Sequence, residues 1–242
     1  MAVPIARPYW PSPSVGAGAD TVAGVTTPTL RLERQCWKAG ERVVVGIDEV
    51  GRGAWAGPVT VAAVVPAPEH LRGVRDSKQI SRQNRPGVVA DVREWAVAIG
   101  VGHASHEECD ALGMTAALRT AAFRALGELS AQGYEPDRVI LDGNHDYLGL
   151  GGRVTTVVKG DTSVLAVAAA SCVAKVTRDE MMAAEAHQYP PYDFESNVGY
   201  PAPRHKVALA GYGPSAIHRR SWVFMEGLCW RGLPPPPGRL FA

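Results

Sequence analysis

Gly46-Ile47-Asp48-Glu49-Val50-Gly51-Arg52-Gly53 decides how the rest of this chain is read. It follows the apolar run Val43-Val44-Val45, so two adjacent carboxylates leave a strand and enter a turn carrying two glycines around an arginine. Acids at the end of a rigid strand supply the oxygen ligands that hard divalent cations such as Mg²⁺ take. Glycines let a backbone come close to a partner, and an arginine offers a planar fork of donors suited to phosphate. Taken alone, the stretch is equally a hairpin whose acids are merely solvated, so other segments must decide.

Two segments repeat the pattern. Asp142 ends the apolar run Ile140-Leu141 before Gly143, and Asp161 follows Lys159-Gly160 after the next strand. Each by itself also reads as a turn residue, since an Asp beside Gly commonly is one. Together with Asp48 and Glu49 they place four carboxylates at strand ends, the edge of an α/β sheet where ligand chemistry gathers. Acids so crowded repel unless cations sit between them, which points to a two-ion centre of Mg²⁺ or Mn²⁺. Asp76-Ser77-Lys78 and Ser171-x-x-x-Lys175 each combine a hydroxyl with an ammonium. On a helix Ser171 and Lys175 share a face and suit a phosphate; the same spacing also describes a buried serine beside a surface lysine.

Around these residues the expected elements alternate. Strands are expected over 42–48, 58–65, 96–105, 138–141 and 153–159. Helices are expected over 85–95, with Pro86 in the first turn, and over 106–113, 115–132 and 164–187. Strands followed by helices imply an α/β layer fold. Residues 1–28, rich in Pro, Gly, Ala and Ser, read as a disordered or loosely attached extension, 29–225 as the folded domain, and 226–242 as a Pro-rich tail.

With 242 residues, 46% hydrophobic and 20% charged, the chain has the composition of an ordinary globular domain with a sizeable core. A net charge of +1 excludes a uniformly basic nucleic-acid binder, but the charge is unevenly spread. From Tyr200 onward there are six Lys/Arg against one acid, Glu226, which suits a polyanion held near a cation site as well as it suits a solvated tail. Four scattered cysteines read as reduced thiols and point to the cytoplasm. No signal peptide is evident, and the longest apolar stretch, residues 164–174, is too short to span a membrane.

In their order and spacing these segments resemble ribonuclease HII, the bacterial type 2 ribonuclease H. The resemblance is carried by Gly46 to Gly53 with Ala56-Gly57-Pro58, Asp76-Ser77-Lys78, Leu141-Asp142-Gly143, Lys159-Gly160-Asp161 and Ala168 to Asp179. Gly199-Tyr200-Pro201 with His205, and His218-Arg219-Arg220-Ser221, complete it, over about residues 29–225. It implies a ribonuclease H-like fold, a mixed five-stranded sheet flanked by helices with a C-terminal helical segment. It implies a monomeric endonuclease acting on RNA–DNA hybrids and 5′ of ribonucleotides embedded in duplex DNA, leaving 5′-phosphate and 3′-hydroxyl ends. Ribonucleotide removal and RNA primer processing are the implied roles.

By motif, Asp48, Glu49, Asp142 and Asp161 are the metal-site carboxylates, and Gly51-Arg52-Gly53 is the loop reading the ribose 2′-hydroxyl. Tyr200 matches the tyrosine packed on the neighbouring deoxyribose, although its residue type alone suits a core or surface aromatic. Ser77, Lys78, Ser171 and Lys175 belong with substrate binding, and Asp179 with supporting structure. Ala202 replaces a threonine common in the family, and Asn84 and Pro86 stand where the family has helix formers. Two rival readings remain: a DNA-directed two-metal phosphotransferase of the same fold, and a hybrid-binding module without activity. The four acids argue against the second, the glycine-bearing loop against the first.

Overall fold

The computed structural model describes residues 27–74 and 81–228. Ser77 and Lys78, most of the expected extension, and the tail from Cys229 onward lie outside the described residues.

Five strands form one mixed sheet in the order β3-β2-β1-β4-β5. β1 (Val44–Val50), β2 (Val59–Val65) and β3 (Ala98–Ala104) make an antiparallel meander. β4 (Arg138–Asp142) and β5 (Val154–Val157) join it in parallel, β4 against β1 and β5 against β4. Helices α1 (Arg31–Lys38), α2 (Arg85–Trp95), α3 (His106–Leu112), α4 (Met114–Ala131), α5 (Gly160–Ser163), α6 (Leu165–Ala186), α7 (Phe194–Asn197) and α8 (Pro203–Tyr212) surround the sheet. The last two form the expected C-terminal helical segment. α1 was not anticipated: its eight residues include four charged ones, and only Glu33 and Cys36 are buried.

The sheet is covered on both faces, which explains why β2 reads Val-Thr-Val-Ala-Ala-Val-Val without polar alternation. Val59, Val61, Ala63 and Val65 join Val45 and Ile47 against α4, while Ala62 and Val64 face α6. Small residues bring the layers together. A side chain at Gly100 or Gly102 of β3 would strike the carbonyls of Ala125 or Ala121 in α4, and one at Gly46 would strike Ala166 of α6. α6 is buried on every side from Leu165 to Ala174, so the apolar run in the sequence is a core helix. No helix of the described residues is long and apolar enough to cross a membrane.

Candidate active site

β1 and β4 run parallel with Ile47 opposite Leu141. Asp48 and Asp142 therefore stand level, one residue further on, at the same edge of the sheet. Backbone bonds then carry β4 toward Asp161: Gly143 N–H donates to Val157 O at 3.0 Å, and Gly160 N–H donates to Asp142 Oδ1 at 2.7 Å. Asp161 lies buried in the short α5 that begins at this glycine. Asp48, Glu49, Asp142 and Asp161 line one cleft of about 480 Å³ with Gly51, Arg52, Gly53, Ser171, Lys175 and Tyr200. Every expected site residue that the structure describes is in it.

Alternation along β1 separates the two adjacent acids. Asp48 takes a hydrogen bond from the Ser171 hydroxyl on α6 and one from Glu49 N–H at 2.7 Å. Glu49 lies near Arg52, Oε1 to Nη1 3.7 Å, and beside the buried Tyr147. Burial pushes the Asp48 carboxyl well above the usual carboxylate range, and the neighbouring Glu49 and Asp142 push it further. Burial likewise raises Glu49, with Asp142 adding to the rise and Arg52 opposing it. The Glu49 Oε2 and Tyr147 hydroxyl atoms are buried without a partner in hydrogen-bond geometry.

Such a set of hard, crowded, incompletely satisfied oxygens fits a divalent cation. Among the described residues, no three His, Cys, Asp or Glu side chains form a ready-made cage. An open set of that kind suits Mg²⁺, which is held by one or two carboxylates and completes its shell with water and substrate phosphate.

Other placements refine the sequence reading. The Ser171 hydroxyl already serves Asp48, so a phosphate is not its only role. Lys175 Nζ pairs with Asp179 at 2.8 Å, and Asp179 meets Arg85 at 3.5 Å, which gives Asp179 the supporting position expected of it. The Gly51 amide donates to the Tyr200 hydroxyl at 3.0 Å, so the loop and the tyrosine are bonded to each other. Gly51 itself sits at φ +89°, where a side chain would run into the buried Arg178.

Arg178 and Arg219 are the residues that sequence reasoning missed or misplaced. Both are fully buried. Arg178 donates to the carbonyls of Pro58, Val198 and Ala56 and lies under the Tyr200 ring, 5.5 Å from its centroid. Burial lowers its pKa to about 10, so it remains charged. Arg219, counted by sequence among the basic residues facing a polyanion, bonds Arg52 O and Gly57 O instead. The basic segment is thus partly internal. No local signal in the sequence separates Arg219 from its exposed neighbour Arg204, whose side chain is 81% accessible.

A mixed five-stranded sheet of this order, flanked by helices, with an acid-lined cleft where its central parallel strands end, defines a protein of the ribonuclease H-like fold. A family model described as Ribonuclease HII matches residues 45–225. The Ribonuclease HII of Streptomyces avermitilis is 51% identical over 209 residues, covering 85% of this chain and 88% of the relative. Among solved structures, ribonuclease H2 from Pyrococcus horikoshii OT3 superposes with a TM-score of 0.62 at 26% identity, covering 76% of this chain and 95% of that one. Bst-RNase HIII in complex with Mn²⁺ shares the fold at 18% identity, with a TM-score of 0.56, covering 76% of this chain and 68% of that one. This chain belongs to the ribonuclease HII family and is a nuclease, a hydrolase of phosphodiester bonds.

Proposed function

We propose that this nuclease cuts RNA in RNA–DNA hybrids and cuts 5′ of single ribonucleotides embedded in duplex DNA. Its proposed centre is Asp48, Glu49, Asp142 and Asp161, holding Mg²⁺ or Mn²⁺. One observation carries the reading: these acids share a single cleft with Gly51-Arg52-Gly53, Ser171, Lys175 and Tyr200. Bound divalent ions would generate the nucleophile from water and neutralise charge on the attacked phosphate and the leaving oxygen.

The chain's own part is positioning. Ser171 holds Asp48, and the Gly160 amide holds Asp142, so neither carboxylate has to be ordered when substrate arrives. Only the 2′-hydroxyl marks a ribonucleotide among deoxyribonucleotides, so a backbone able to approach the sugar closely must read it. At Gly53 an added side chain would meet only the edge of Tyr200, Cε1 at 3.9 Å, which leaves that peptide open from the cleft side. The Tyr200 ring, backed by Arg178 and bonded through its hydroxyl to Gly51, is a rigid platform for the adjoining deoxyribose.

The deciding assay offers duplexes identical except for one ribonucleotide, with and without Mg²⁺. Cleavage is expected only where the ribonucleotide is present and only with the ion. Equal cleavage of the all-DNA duplex would leave the DNA-directed reading in its place.

A further inference from the structure

His218-Arg219 lies in no helix or strand and does not line the acid-bearing cleft, yet both side chains are fully buried. Its backbone is bonded to the loop that begins at Gly51. Ala56 and His218 form an isolated antiparallel bridge, Arg219 N–H donates to Trp55 O at 2.8 Å, and Gly57 N–H donates to Ile217 O at 2.9 Å. The Arg219 guanidinium then spans the loop, with Nη1 donating to Arg52 O and both Nε and Nη2 to Gly57 O, each at 3.1 Å. Among the described residues no carboxylate pairs with it. Its guanidinium lies over the Trp222 ring as well, 5.2 Å from the centroid. A buried guanidinium without a carboxylate is costly, and its planar fork is the one cationic group that can bridge these carbonyls.

The adjacent His218 reaches the other half of the candidate reader. Ser215 N–H donates to His218 Nδ1 at 2.9 Å, so that nitrogen accepts and the ring proton sits on Nε2. His218 Nε2 lies 2.8 Å from His205 Nε2, which must then accept. The His205 proton is thereby placed on Nδ1, 2.9 Å from the Tyr200 carbonyl. Burial holds His218 down to about 3 and lowers His205 as well, so both rings stay neutral and donation runs one way, from Ser215 to Tyr200. The backbone entering Tyr200 needs such restraint. Val198 is β-branched yet sits at φ +45°, and Gly199 follows at φ +84° with no room for a side chain beside Ala56 O.

We propose that His218 and Arg219 are positioning residues that set the spacing between Tyr200 and Gly51-Arg52-Gly53. They thereby set the preference for a single embedded ribonucleotide over continuous RNA. Arg219 fixes the loop, His218 fixes Tyr200 through His205, and the bond from Gly51 N–H to the Tyr200 hydroxyl closes the frame. Neither residue touches substrate. The inference rests on the proposed reading of that loop and Tyr200 as the part that senses the junction.

The test measures kcat and KM of the full chain on a single-ribonucleotide duplex and on a continuous RNA–DNA hybrid, in Mg²⁺, alongside Tm. His218→Leu removes the donor to His205, and Arg219→Lys keeps the charge but loses the fork. Each should lower the ratio of kcat/KM, single ribonucleotide over hybrid, by roughly fivefold or more, the scale of a lost buried hydrogen bond. His218→Gln, whose amide can donate toward His205, should restore much of the ratio. A role in stability alone would lower Tm and depress both substrates together, and that result overturns the proposal. Should His218→Leu fail to fold, the ratio for Arg219→Lys and His218→Gln decides. Tyr200→Ala in the same assay separates the two levels. If it leaves the ratio unchanged, the junction reading fails and this inference with it. If it lowers the ratio while the positioning variants do not, only this inference fails.

Discussion

Asp48 shows how one residue is set up for a charged task at a cost to the fold. It is buried, and its carboxyl is held above the usual range by burial and by Glu49 and Asp142. A carboxyl whose folded pKa is raised keeps its proton longer in the folded chain than in the unfolded one. Its ionisation therefore destabilises the fold as pH rises past the unfolded value near 4. Asp48→Asn should abolish turnover and yet raise Tm at neutral pH in EDTA, while the Tm gain on adding Mg²⁺ shrinks relative to the parent. Turnover near the parental rate in the folded variant would remove Asp48 from the centre. The two loop glycines should respond differently. Gly51→Ala meets both a left-handed φ and the Arg178 side chain, so it should lower Tm and depress every substrate. Gly53→Ala has room and should leave Tm near the parental value while reducing cleavage at ribonucleotides. The reverse order of Tm losses in thermal melts would refute the assignment of close packing to Gly51 and open approach to Gly53.

At the scale of elements, α6 does two jobs that its composition hides. Its first ten residues fill the core, and its cleft-facing row presents Ser171 and Lys175 beside β1. What starts it is the unanticipated α1. α6 has no side-chain cap of its own, and Glu33 of α1 supplies one across the chain by accepting Ala166 N–H at 2.9 Å. Burial raises the Glu33 carboxyl to about 7. The folded chain thus holds this proton more tightly than the unfolded chain, and stability falls as pH climbs from about 4.5 toward 7. Glu33→Gln keeps an acceptor and removes the charge. It should match the parent near pH 5 and exceed its stability by roughly 1–3 kcal/mol at pH 8, read from denaturant melts at both pH values. Parallel pH profiles for the two proteins would contradict a raised Glu33.

Across the whole molecule, charge is sorted by burial more than by position in the chain. Arg178 and Arg219 are interior, each bonded to backbone carbonyls, while Arg204 extends to solvent beside Asp193 and Lys175 reaches the cleft. Only accessible cations release counterions from nucleic acid. Lys175→Ala should therefore reduce the slope of log binding constant against log salt by roughly one, for RNA-containing duplexes generally. An unchanged slope in a salt titration would return Lys175 to a purely structural pairing with Asp179. The slope of Arg219→Lys should equal the parent's, because that guanidinium faces the loop it braces.

The residues that could be read without a structure are those whose meaning is local. An acid ending an apolar run, a glycine beside it and an i, i+4 pair on a helix carry their geometry in their spacing. Asp48, Glu49, Asp142, Asp161, Ser171 and Lys175 were therefore legible, as were the five strands to within a few residues. Pro86 in the first turn of α2 was legible for the same reason. α1 was not: it is only two turns long and half charged, and its short apolar side of Leu32, Cys36 and Trp37 finds its partners Val44, Ile140 and Val167 only in the folded chain. Nor were the roles of His205, His218, Arg178 and Arg219. Their partners lie 13 residues away for the histidine pair and up to 167 for Arg219 and Arg52, and nothing in a sequence states which cation will be buried. Short-range chemistry was written in the chain; long-range pairing, and with it the choice between a basic surface and an internal brace, was decided when the sheet, α6 and the C-terminal segment packed together.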